Sequence, residues 1–205
     1  MTRTARPTIP MPADEPLEQP VLTTARLALR PFQMADAQQV QQLAGAVQVA
    51  DTTLTIPHPY PDGAAEQWIA LHGEEFARGA SATWAITLRD GGDLVGAVGL
   101  VIRREHLHAE LGYWVGVPYW GRGYATEAAR AVLRFAFREL ELARVYACHF
   151  VRNPASGAVL RRIGMRHEGS FRQHYRKWGR MEDVDYYGVL AGELPPEDGD
   201  AALPG

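Results

Sequence analysis

Residues 117–137 read VPYWGRGYATEAARAVLRFAF, which sets Gly121 and Gly123 directly ahead of a strongly amphipathic helical stretch. A strand ending in a turn, followed at once by a helix N-terminus, aims several backbone N–H groups the same way and concentrates partial positive charge. Such a turn suits a phosphate oxygen, and glycine, with no Cβ, lets the ligand approach the backbone closely. Two better-known phosphate loops are ruled out by the residues. No Gly-Lys-Ser/Thr follows, and the pair lacks the third glycine of the dinucleotide fingerprint and comes after the fourth predicted strand rather than the first. Taken alone, the two glycines also fit a purely structural strand-to-helix turn.

Other residues with chemical potential are fewer. NPASGAVLRRIG opens on Asn153, a good helix N-cap, with Pro154 in the first helical position and Gly164 as a stop. His106 and His108 alternate along a predicted strand and share a face, but no third ligand follows at a recognisable spacing, so no metal is expected. The lone Cys148 sits in the apolar run RVYACHF and reads as packing rather than as a nucleophile. FRQHYRKWGR holds the only lysine, Lys177, in a basic cluster with interleaved aromatics. That segment fits a charged hairpin rim, with RNA or an acidic substrate as the alternative.

The elements that must position these residues form one α/β unit. A chain of 205 residues that is 46% hydrophobic can bury one sizeable core, and a net charge of -3 lacks the broad basic field on which nonspecific nucleic-acid binding relies. A single cysteine, no apolar signal core at the start and an apolar run too short to span a bilayer in residues 94–102 point to a cytoplasmic protein with no membrane partner. Residues 1–20 and 192–205, rich in proline and acid, are expected to be flexible tails around a domain at 21–191.

Within it, RLALRPF alternates as a strand and MADAQQVQQLAGAV takes helical spacing. Prolines 57, 59 and 61 then enforce a loop, a wall for whatever site exists, and Asp62 is placed to cap a helix over 64–76. Asp-Gly-Gly-Asp at 90–93 joins two strands in a hairpin, and HAELGYWVGV gives a third strand ending at Val117. A helix over 126–140, a strand over 144–150, the Asn153 helix and two strands joined around Trp178 and Gly179 complete the order β-α-α-β-β-β-α-β-α-β-β. This is a mixed sheet with helices on both faces.

ELGYWVGVPYWGRGYATEA followed by NPASGAVLRRIGMRHEG resembles the GNAT superfamily of acyl-CoA-dependent N-acetyltransferases. That family's pyrophosphate loop reads Gln/Arg-x-x-Gly-x-Gly/Ala, a register filled here by Trp120, Gly123 and Ala125. Trp120 departs from the usual first residue. Because the loop binds mainly through backbone N–H groups the departure should be tolerated, and tryptophan there is similar to the RimJ/RimL-like, ribosomal-protein N-terminal acetyltransferase branch. The opening LTTARLALRPFQMADA and the closing RKWGRMEDVDYYGVL are similar to that branch too, so the resemblance spans residues 22–190.

The resemblance implies acetyl-CoA as acyl donor, no metal, and a primary amine as acceptor attacked directly in a ternary complex. The branch implies the N-terminal amine of a protein or peptide. A small amine of the polyamine or aminoglycoside type, or a non-catalytic acyl-CoA sensor, are the alternatives. By the same resemblance the backbone of Trp114, Val115 and Val117 would hold the pantetheine arm, and an amide of that strand would polarise the thioester carbonyl. Gly121, Arg122, Gly123, Tyr124, Ala125 and Thr126 would hold the pyrophosphate. Glu110 would take a proton from the incoming ammonium, directly or through water, Asn153 would contact the pantetheine and Ser156 would return a proton to the leaving sulfur. Each side chain also has a bland reading: a solvent-facing strand glutamate, a helix cap and a first-turn hydroxyl. The hairpin and the proline-rich loop around 56–60 would line the acceptor site. Monomer and homodimer both remain open.

Overall fold

The computed structural model describes residues 18–194, so most of both expected tails lies outside the described residues. Gln19 and Pro20, read as tail, already belong with the folded unit: Gln19 Nε2 donates to the Thr83 carbonyl (2.9 Å) and Trp84 Nε1 donates to that of Pro20 (2.8 Å).

Eight strands form one sheet in the order β1-β2-β3-β4-β5-β6-β8-β7. They are β1 (Leu22–Thr23), β2 (Leu27–Pro31), β3 (Ser81–Leu88), β4 (Leu94–Arg103), β5 (His108–Val115), β6 (Arg144–Phe150), β7 (Arg166–Lys177) and β8 (Arg180–Leu190). Every neighbouring pair is antiparallel except β5 with β6, which the helix α4 (Tyr124–Arg138) connects. A parallel pair needs such a crossover, and the apolar stripe of α4 supplies its packing: Ala128, Ala129, Val132, Leu133 and Ala136 are all fully buried against the sheet. The short helix α5 (Pro154–Arg162) packs on the same face through Leu160. On the other face α1 (Ala37–Ala44) and α3 (Ala64–Ala77) cover Ala85 and Leu94. Helices on both faces of a mixed sheet are what the pattern of periods predicts.

Differences from expectation are local. Residues 34–47 do not make one helix: α1 stops at Ala44, Ala46 turns extended (ψ 129°), and a separate α2 (Val47–Asp51) follows. Gly45 lies so close to the loop that a Cβ there would meet Tyr60 Cβ at 2.8 Å. Asp62 caps nothing. The N-cap of α3 is Gly63 at φ 76°, and the Asp62 carboxylate instead accepts from Gln41 Nε2 (2.9 Å). β5 ends at Val115 rather than Val117, α4 begins at Tyr124 rather than 126, and His106 belongs to a single 3-10 turn ahead of β5 rather than to the strand. Gly91 and Gly92 (φ 96° and 75°) turn the β3–β4 hairpin as their sequence requires.

Candidate active site

β5 and β6 pair over only three residues each: His108 with Arg144, Ala109 with Val145 and Glu110 with Tyr146. Past that point β5 remains bonded to β4 as far as Val115 and β6 to β8 as far as Phe150, each on its outer side only. The strands part, and a cleft of about 2210 Å³ lies between and around them. Because side chains alternate along a strand, Glu110 and Trp114 point to the α1/α3 face, whereas Leu111, Tyr113 and Val115 point to the α4/α5 face.

The glycine turn closes one end. Gly121 (φ 74°) and Gly123 (φ 80°) both take the left-handed conformation that glycine adopts without strain. Among the described residues no N–H of 121–126 donates within the protein, and pairing resumes at Glu127, whose N–H reaches Gly123 O (3.1 Å). Gly121, Arg122, Gly123, Tyr124, Ala125 and Thr126 therefore present a run of open donors at a helix N-terminus, the last three from the first turn of α4 itself. Arg122 and Arg130 line the cleft beside them. Val117 sits beyond the strand end in the 3-10 turn Val117–Tyr119. Trp120, the departure from the family pattern, donates its indole N–H to Val115 O (2.6 Å) and so fastens the turn to the end of β5.

Arg26 and Glu127, which sequence reading passes over, brace this turn from the side. Arg26 Nε reaches Glu127 Oε2 (2.7 Å) and its Nη1 reaches Arg122 O (3.0 Å), while Glu127 Oε1 accepts from Thr24 Oγ1 (2.7 Å) and the Arg26 N–H (2.9 Å). Burial pushes the Glu127 carboxyl up, but these hydrogen bonds and the Arg26 charge outweigh it and hold the group below its ordinary value. The residues are about a hundred positions apart, and no local signal links them.

On the α1/α3 face Glu110 is half-buried, with Oε2 accepting from Tyr146 Oη (3.4 Å) and Oε1 facing Cys148 Sγ (3.9 Å). Cys148 thus lines the cleft rather than serving only as packing. Burial, and then the Glu110 charge, push its thiol up to about 11, so it stays protonated and is no nucleophile. Thr52, Thr53, Ile56, Tyr60, Trp68 and Tyr175 complete this wall. The proline-rich loop and the β7–β8 hairpin therefore meet at the site as expected. Lys177 does not join an exposed rim: it is 4% exposed, and its Nζ donates to Leu54 O (3.2 Å) and Ile56 O (2.8 Å).

On the α4/α5 face Tyr113 Oη meets Ser156 Oγ at 2.8 Å and Ser156 O at 3.2 Å. Burial pushes the Tyr113 phenol up to about 12, against the opposing pull of the Ser156 hydrogen bond. Asn153 caps α5 as its sequence predicts, its Oδ1 accepting from the Ser156 N–H (3.3 Å). Both Asn153 and Ser156 line the cleft. Sequence spacing brings Asn153 and Ser156 together, but the Tyr113 partnership spans 43 positions and shows only in the fold.

The family description "Acetyltransferase (GNAT) domain" matches residues 26–166. The chain belongs to the GNAT family of N-acetyltransferases. It is 31% identical over 176 residues to the uncharacterized N-acetyltransferase YnaD of Bacillus subtilis (strain 168), a match covering 84% of this chain and 98% of that one. It is 29% identical over 131 residues to the [ribosomal protein uS5]-alanine N-acetyltransferase of Escherichia coli (strain K12), covering 62% of this chain and 66% of the relative. Matches to two other Bacillus subtilis relatives span only 61% and 58% of their lengths. Among solved structures, Mycobacterium smegmatis RimJ in complex with CoA-disulfide superposes with a TM-score of 0.74 at 27% identity, covering 83% of this chain and 84% of that one. No helix among the described residues is long and apolar enough to cross a membrane.

Proposed function

We propose that the protein transfers the acetyl group of acetyl-CoA to a single primary amine, the N-terminal amine of a protein or peptide, by direct attack within a ternary complex. The observation that carries this reading is the opening between β5 and β6, with Glu110 on one face and the Tyr113–Ser156 pair on the other. Acetyl-CoA supplies the thioester, an activated acyl group. Its phosphates fit the open N–H groups of 121–126 and the cations of Arg122 and Arg130. As the family resemblance implies, the backbone of Trp114, Val115 and Val117 and the Asn153 side chain would hold the pantetheine arm, the Val115 carbonyl being already taken by Trp120, and an amide at the end of β5 would polarise the thioester carbonyl. Glu110 takes the proton that the acceptor ammonium must lose before its nitrogen can attack. Ser156 gives its hydroxyl proton to the departing sulfur and recovers one, through solvent, from the nitrogen as the amide forms, so that the two protons lost by the ammonium end on Glu110 and on the thiol; Tyr113, protonated and hydrogen-bonded to Ser156, holds that hydroxyl in place.

Charge favours an N-terminal amine over a polycation. Among the described residues, Glu110 and Glu127 are the only carboxylates lining the cleft, and Glu127 is committed to Arg26 and Thr24. Among the described residues the acceptor face offers one uncommitted carboxylate beside Ile56, Tyr60, Trp68, Trp114 and the hydroxyls of Thr52 and Thr53, so a polyamine or aminoglycoside would leave its further ammonium groups without a carboxylate partner. Similarity to an N-acetyltransferase for alanine of a ribosomal protein points the same way. The test is release of free thiol from acetyl-CoA across short peptides of differing first residue, polyamines and aminoglycosides. Turnover confined to peptides is expected. Turnover confined to polyamines would overturn the acceptor, and tight acetyl-CoA binding with no turnover would favour a sensor.

A further inference from the structure

The loop over 52–63 walls the acceptor face yet has little backbone structure of its own. Thr52 and Thr53 bond back to Val49 and Ala50, and the next backbone hydrogen bond made by the loop is that of Ala64 to Pro61. Three of its residues are prolines without an N–H, and such a segment holds one conformation only where other groups satisfy its carbonyls. Lys177 does so, through two hydrogen bonds from one ammonium to Leu54 O and Ile56 O. The same Nζ lies 4.8 Å from the Trp178 ring centroid, and that ring lies 5.9 Å from His58 of the loop. The residue just ahead of the loop, Asp51 at the end of α2, is fixed by charge as well. Asp51 accepts from Arg152 Nη1 (2.6 Å), Arg152 Nε reaches Glu182 (2.9 Å), and Arg180 Nε reaches the same carboxylate (2.6 Å).

Burying a lone ammonium is costly unless it is paired, and here its partners are neutral carbonyls of an acceptor-side wall, not a carboxylate. We propose that Lys177 is a positioning residue for acceptor binding: its ammonium locks residues 54–56 in place, and with them the wall formed by Ile56. The assignment rests on the reading of this face as the acceptor side. It predicts a division of labour, since Lys177 touches neither the 121–126 turn nor the Tyr113–Ser156 pair.

The test uses the full chain carrying Lys177→Met, which keeps the length and removes the charge, beside Lys177→Arg, which restores charge and donors. In solution NMR the backbone order parameters of Leu54, Thr55 and Ile56 should fall from about 0.85 in the parent to below about 0.6 in Lys177→Met, with residues 121–126 unchanged. Acetyl-CoA affinity by calorimetry should stay the same. With a short alanine-first peptide as acceptor, its KM should rise about tenfold with kcat nearly constant, a loss matching about one charged hydrogen bond, and Lys177→Arg should recover part of it. Unchanged order parameters would overturn the proposal whatever the activity. Loss of order across the whole chain, or an equal loss of acetyl-CoA affinity, would reduce Lys177 to a general structural role and overturn it too. If the parent acetylates no peptide, the acceptor reading fails, while the NMR arm still decides whether Lys177 locks the loop.

Discussion

In the proposed mechanism Glu110 and the Tyr113–Ser156 pair divide the proton chemistry between two faces of one strand, so substitutions on the two faces should be told apart kinetically. Glu110→Gln keeps size and hydrogen bonding but removes the base. It should lower kcat by about 10² to 10⁴ while leaving acetyl-CoA affinity by calorimetry unchanged. An unchanged rate would remove Glu110 from the mechanism. Tyr113→Phe leaves the Ser156 hydroxyl without its 2.8 Å partner. A hydrogen bond of about 1 kcal/mol corresponds to a severalfold loss, so single-turnover rates should drop by roughly tenfold or less, and Ser156→Ala on that background should add little further if the two act as a unit.

At the scale of elements, α5 depends on a contact with β6 that leaves no room for a side chain. A Cβ on Gly157 would stand 2.6 Å from Nε2 of His149, whose Nδ1 is held at Phe150 O (2.8 Å). Gly157→Ala should therefore destabilise the fold by about 1 to 3 kcal/mol, read from the urea midpoint, although alanine is the better helix former. Elements of this kind were legible where short-range chemistry decides them. The alternation in β2, the Asn153 cap, the Gly91–Gly92 hairpin and the turn at Trp178 and Gly179 all follow from neighbours in sequence. The break between α1 and α2 was not legible, because it arises where Gly45 meets Tyr60 of the later loop. The Arg26–Glu127 brace, the Tyr113 partner of Ser156 and the Lys177 contacts were hidden for the same reason. Each joins segments 43 to 123 positions apart, and one chain carries no record of which of its many polar residues will meet.

For the molecule as a whole, pH separates two sets of groups. Asp36 and Glu127 are both held below their ordinary values, with burial opposing and hydrogen-bonded arginines prevailing. Their contribution is complete above the unfolded carboxylate range, about pH 4, and is lost as pH falls through the lower folded values. His72 differs. It is buried against Trp68 and Phe32, neither ring nitrogen has a partner among the described residues, and burial lowers its pKa, with Glu75 opposing. The unfolded chain takes up a proton on this histidine as pH falls through about 6.5, whereas the folded one does so only lower, so stability falls as pH drops from 6.5, by at most about 1.4 kcal/mol per pH unit. Urea midpoints between pH 7 and pH 5 should decline in the parent and decline less in His72→Leu; parallel curves would clear His72.

The three-residue contact between β5 and β6 makes the sheet, in mechanical terms, two lobes on a short seam: five strands on one side and three on the other. In the proposed binding mode a ligand laid into the gap would serve as the rung that each strand lacks on its inner edge, so acetyl-CoA would be at once a reactant and a brace. Its binding energy would add to the cohesion of the lobes while it is present and be withdrawn as the product leaves. Glu110, one of the three residues of β5 in the seam, would be the part of the proposed catalytic apparatus that any relative displacement of the two lobes moves least.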